Sequence, residues 1–110
     1  MKTIKIKTID VTAYDWFDKV NGNSYFAGTV CINFGMKNQV NLTMPFQYGY
    51  GSHYETKAMN TLIKEGFIKD AESYNSGGAE SLWRYCERKA IIYRHAKHEN
   101  CRQRDLKAIK

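Results

Sequence analysis

Between Phe26 and Met44 the apolar residues fall on every second position: Phe26, Val30, Ile32 and Phe34, then Val40, Leu42 and Met44 after Gly35-Met36-Lys37-Asn38. Successive side chains of a strand point to opposite faces, so this period of two predicts two strands sharing one buried face across a short turn. A hairpin alone is marginal in water, and its apolar face needs a third strand and a layer of helix to cover it.

The flanking sequence supplies both. Upstream, Ile4 and Ile6 share one parity and Ile9, Val11 and Ala13 the other, which predicts a first strand broken by a β-bulge near Lys7-Thr8. Residues 14–20 read as a polar, aromatic connection ending at the turn Asn21-Gly22-Asn23. Downstream, Pro45 lacks an N–H and is expected to end the ladder. Ser52-His53-Tyr54-Glu55 has the form of a capping box, and Tyr54, Ala58, Met59 and Leu62 recur at helical spacing as far as Gly66-Phe67, a Schellman-type end. A helix over 53–65 follows. After Ser76-Gly77-Gly78, the residues Ala79, Leu82, Trp83 and Cys86 line one face of a second helix bearing a Glu80–Arg84 pair and ending near Lys89. Ile91-Ile92-Tyr93 predicts a late strand, and Asn100 with Gln103 a short or frayed helix over about 100–110. The expected fold is one α+β domain over 1–110 in the order βββααβ(α), its antiparallel sheet packed on two helices.

Length and composition agree with a single globular domain, since 110 residues with 43% hydrophobic and 25% charged side chains can bury one core. No apolar run approaches the roughly 20 residues of a membrane helix, and the lysines of the first seven positions do not resemble a secretion signal. Three cysteines, Cys31, Cys86 and Cys101, make no disulfide framework and point to a reducing compartment. The reading is a cytoplasmic protein without a membrane partner.

Charge is unevenly spread. From Arg84 onward there are nine basic residues against three acidic ones, while the first 83 positions hold eight of each. All five arginines lie in that last quarter. A clustered cationic surface attracts polyanions or acidic protein faces. The expected binding residues are Arg84, Arg88, Lys89, Arg94, Lys97, Arg102 and Arg104, because arginine forks pair with phosphate or carboxylate.

Two further constellations carry chemistry. Tyr48, Tyr50, Ser52, His53 and Tyr54, with Gly49 and Gly51, surround the start of the first helix, where free amides can receive an anion and the rings can stack on bases. Cys86, His95, His98 and Cys101 are the ligand types of a structural zinc site, although the paired Cys-x-x-Cys knuckle is missing. No catalytic triad, nucleophile elbow or paired-carboxylate spacing is visible, so the chain does not read as an enzyme and, zinc aside, implies no cofactor.

The blocks Trp16-Phe17-Asp18-Lys19-Val20-Asn21-Gly22-Asn23-Ser24-Tyr25, Pro45-Phe46-Gln47-Tyr48-Gly49-Tyr50-Gly51 and Glu80-Ser81-Leu82-Trp83-Arg84-Tyr85-Cys86 resemble those of small bacteriophage and prophage accessory proteins. The resemblance covers about residues 15–106 and transfers no activity, cofactor or site residue. It implies action in the host bacterial cytoplasm by binding a host defence or regulatory complex, with an anti-CRISPR-type inhibitor as the sharpest form. Direct binding of DNA or RNA through the basic C-terminal region is the alternative, and a small zinc-stabilised domain the second.

Overall fold

The structure, a computed structural model, describes residues 5–49, 51, 53–71 and 81–108. Four strands, β1 (Thr8–Asp18), β2 (Asn23–Ile32), β3 (Val40–Tyr48) and β4 (Ile92–His98), form one sheet in the order β3-β2-β1-β4. Helices α1 (His53–Lys64) and α2 (Leu82–Arg88) lie between β3 and β4 in the chain, and α3 (Gln103–Lys107) follows β4. The expected α+β order holds. The sheet is mixed, however: β4 runs parallel to β1, pairing Ile9 with Tyr93 and Val11 with His95, because two helices intervene and return the chain to the starting edge in the same sense.

Alternation along the strands builds the core. Ile9, Val11 and Ala13 of β1, Phe26, Val30 and Ile32 of β2, and Met44 of β3 all project to one face. There they meet Tyr54, Ala58, Met59 and Leu62 of α1, Ile68, and Leu82, Tyr85 and Cys86 of α2. Each large apolar side chain so buried contributes about 1.5–3 kcal/mol.

Several local expectations change. The parity break before Ile9 is no bulge: β1 begins at Thr8, and buried Asn33 caps its entry, accepting at Oδ1 from the Lys7 amide at 2.7 Å and the Thr8 amide at 3.3 Å while its Nδ2 donates to the Lys5 carbonyl at 2.9 Å. Residues 14–18 belong to β1 and not to a connection. The bulge lies instead between β2 and β3 near Phe26/Gly28, where Pro45 sits in an edge strand that continues to Tyr48. Phe34 is past the end of β2 and exposed. On α2, Tyr85 takes the inward place expected of Trp83, since Leu82, Tyr85 and Cys86 are the residues three and four apart.

The end of α1 is as expected: Gly66 has φ +83°, and the Phe67 amide donates to the Leu62 carbonyl at 2.9 Å. The final helix is held by Asp105, whose carboxylate accepts from the Arg102 amide, in place of the Asn100–Gln103 cap. It packs across β1, β2 and β3 on the face opposite α1 and α2, with Leu106 fully buried. The predicted turn 76–78, the Glu80–Arg84 pair, Ala79 and the cap residue Ser52 lie outside the described residues.

Candidate functional site

The basic residues do not form one patch. Strand parity puts Tyr93, His95 and Lys97 on the α1/α2 side of the sheet and Arg94 on the other, beside Asp10. Arg94 there makes a two-pronged bond, Nε to Asp10 Oδ1 at 2.6 Å and Nη2 to Oδ2 at 3.0 Å. This pairing raises the guanidinium pKa. Arg102, Arg104 and Lys107 belong to α3 and its cap on that same face; Arg102 pairs with Asp105, and the Lys107 ammonium lies 5.4 Å over the Phe46 ring. The expected cluster of Arg84, Arg88 and Arg94 is therefore divided by the sheet.

On the outer side of α2 the cations are ordered by aromatic rings. The Arg84 guanidinium lies 5.5 Å from the centroid of Trp83, a ring left 50% exposed, and that of Arg88 lies 5.3 Å from Tyr85. Asp70, on the segment after α1, ties this helix down: its carboxylate accepts from the Lys89 ammonium at 2.6 Å and the Tyr85 hydroxyl at 2.7 Å, and its carbonyl accepts from Arg88 at 3.1 Å. The bonds from Lys89 and then Tyr85 lower the Asp70 pKa to about 2. Burial, together with the bond to Asp70, pushes the Tyr85 hydroxyl well up.

Among the described residues the mouth of α1 shows no room for an anion. Lys97 donates to the Gly51 carbonyl at 3.2 Å and reaches Asp15 at 3.7 Å, and the crevice lined by these residues with Phe26, Gly49 and Tyr54 has a volume of about 0 Å³. Tyr54 is buried, sharing a 2.9 Å hydrogen bond with His95 Nδ1, and His53 stands edge-on to Phe26. Tyr48 is exposed and packs edge-on to Tyr25. Tyr50 and Ser52 lie outside the described residues. Glu55 accepts from the Tyr93 hydroxyl at 2.6 Å; its expected cap partner, Ser52, is outside the described residues.

The four soft ligands are not brought together. Cys86 is buried in the core, where desolvation pushes its thiol pKa up to about 12, opposite to what a metal-binding thiolate needs. His95 and His98 point to opposite faces of β4, His95 stacking on Tyr93 and His98 on Tyr14. The Cys101 thiol donates to the His98 carbonyl at 3.3 Å. Among the described residues no group of three or more His, Cys, Asp or Glu is placed to hold a metal ion.

Two concavities escape a reading of the sequence. One, of about 360 Å³, lies on the open sheet face between Asp10, Thr12, Thr29, Cys31, Asn41 and the loop residues Phe34 and Gln39. The other, of about 250 Å³, lies where the chain entering β1 passes the end of α2, between Lys5, Ile6, Phe67, Tyr85, Lys89 and Ile91. No local pattern announces either, because each joins segments far apart in the chain. The outward position of Trp83 was legible in principle, since Leu82-Tyr85-Cys86 fits an inward face better than Leu82-Trp83-Cys86.

Comparison with protein-family models, with curated proteins and with solved structures finds no match to this chain. No helix among the described residues is long and apolar enough to cross a membrane.

Proposed function

We propose that this chain works by binding, not catalysis, and that it meets an acidic surface of a host protein complex with the outer side of α2. One observation carries the reading: Arg84 lies over the half-exposed Trp83 ring, with Arg88 one turn further along over Tyr85. Trp and Arg are the side chains most often found at the energetic centre of protein interfaces. Holding them in place before contact lowers the ordering cost of association. The resemblance to phage accessory proteins supports a host complex as the partner, an anti-CRISPR-type inhibitor of host defence being its sharpest form.

A second reading, direct binding of nucleic acid, is favoured by the nine basic residues against three acidic ones from Arg84 onward. One experiment separates the two. The chain and its R84A/R88A variant are used to capture partners from bacterial lysate, with and without nuclease, at about 50 and 200 mM salt. The first reading expects a protein complex retained in both nuclease arms and reduced about tenfold by the double substitution. Loss of all capture after nuclease, with a steep salt dependence, supports the second and overturns the first.

A further inference from the structure

The groove beside α2 has a chemistry of its own. Its floor is formed by Ile6, Phe67 and Ile91, all partly buried fringes of the core, and by the Tyr85 ring. Its rim carries Lys5 and Lys89, contributed by opposite ends of the sequence. Lys89 is bonded to Asp70, whereas Lys5 is exposed and has no ion-pair partner among the described residues. The guanidinium of Arg88, over the ring of Tyr85, extends the positive charge towards Arg84 and Trp83.

An apolar floor inside a cationic rim is complementary to one kind of occupant: a peptide segment that inserts a single large apolar side chain and carries carboxylates on either side of it. A phosphate chain would leave that floor unfilled, and elsewhere it would find Arg94 and Arg102 behind the sheet, already bridged to Asp10 and Asp105, and Lys97 bonded to the Gly51 carbonyl and close to Asp15. The larger concavity on the open face is a weaker candidate, because its polar side chains satisfy one another: Asp10 binds Arg94, and Gln39 binds both the Gly35 amide and Asn41. We infer that the groove lined by Lys5, Ile6, Phe67 and Ile91 is the anchoring pocket for an acidic protein segment bearing one apolar residue. This rests on the reading that the α2 end is the partner-binding surface, and it specifies which part of a partner enters.

The test is selection of randomised dodecapeptides displayed on phage against the immobilised full chain, followed by affinity measurement of the enriched peptides. The expected consensus is Asp or Glu flanking one Leu, Ile, Met or Phe. Changing that apolar residue to Ala should weaken binding at least tenfold; Lys5→Glu should weaken it at least fivefold and Lys5→Arg should not. Lys5 is exposed, so both variants are expected to fold, and circular dichroism checks this. Acidic peptides that bind without an apolar requirement, or that ignore Lys5→Glu yet are lost in R84A/R88A, overturn the pocket and leave the α2 surface standing. No enrichment, or enriched peptides indifferent to both sets of variants, overturns both. Tight binding of a dodecathymidylate strand that peptides cannot displace assigns the surface to nucleic acid.

Discussion

Among the described residues, three without glycine's freedom stand in left-handed conformation: Asn33 at φ +56°, Ala90 at +57° and Asn100 at +60°. For Asn33 the conformation has a return, because it aims the side-chain amide at the backbone entering β1 and satisfies amides that no strand reaches. Asn33→Ala should therefore cost about 1–3 kcal/mol, the penalty of leaving these part-buried donors unpaired, read as a lower urea midpoint at unchanged slope. Ala90 has no such compensation. It terminates α2 in a Schellman arrangement, with the Ile91 amide donating to the Cys86 carbonyl at 2.8 Å, at a position that suits glycine. Ala90→Gly should stabilise the chain by about 1 kcal/mol in the same measurement. The contrast with Gly66 explains what could be read in advance: a glycine after an amphipathic run announces a helix end, and an alanine does not.

At the scale of elements, hydrophobic period was legible and extent was not. The β2–β3 alternation and the α1 face of Tyr54, Ala58, Met59 and Leu62 formed as expected. The far half of β1 was hidden because its open-face positions carry Tyr14 and Trp16, so polar and apolar residues no longer alternate. Trp16 stacks on Tyr25, and Tyr25 on Phe46, giving those large side chains a second, smaller packing layer. In β2, opposite Ala13 and Met44 of the main core, Gly28 is obligatory for steric reasons: a Cβ there would overlap the Thr12 carbonyl oxygen and come within 2.9 Å of Ala13 Cα. Both obstacles are backbone and cannot swing aside. Gly28→Ala should cost about 3 kcal/mol or more, seen as a large loss in thermal midpoint or as failure to fold.

For the whole molecule, the lopsided charge in the sequence becomes a divided one in space. A count along the chain cannot tell which side of a strand each cation occupies, and the parity of β4 separates Arg94 from Lys97 and from α2. The Asp70 carboxylate joins the α1 and α2 segments, and its pKa is lowered from 3.8 to about 2, so it binds its proton more readily in the unfolded chain. The stabilisation it provides is full above 3.8 and is lost as the pH falls through about 2. Both partners are substantially exposed, so the effect is modest. Asp70→Asn should lower stability near neutral pH and remove part of its decline over that acid interval, as followed by urea unfolding at a series of pH values.

The parallel pairing of β1 with β4 also sets an order of events. β1 gains its first neighbour by closing a local hairpin with β2, but Asp10 and Arg94, which meet on its other side, are 84 positions apart. Contacts of such sequence separation form late and slowly, and until they do a central strand displays an open hydrogen-bonding edge to any other chain nearby. The charged last quarter of the sequence is thus also the part that seals the sheet, and a nascent or shortened chain without residues 92–98 should associate through β1.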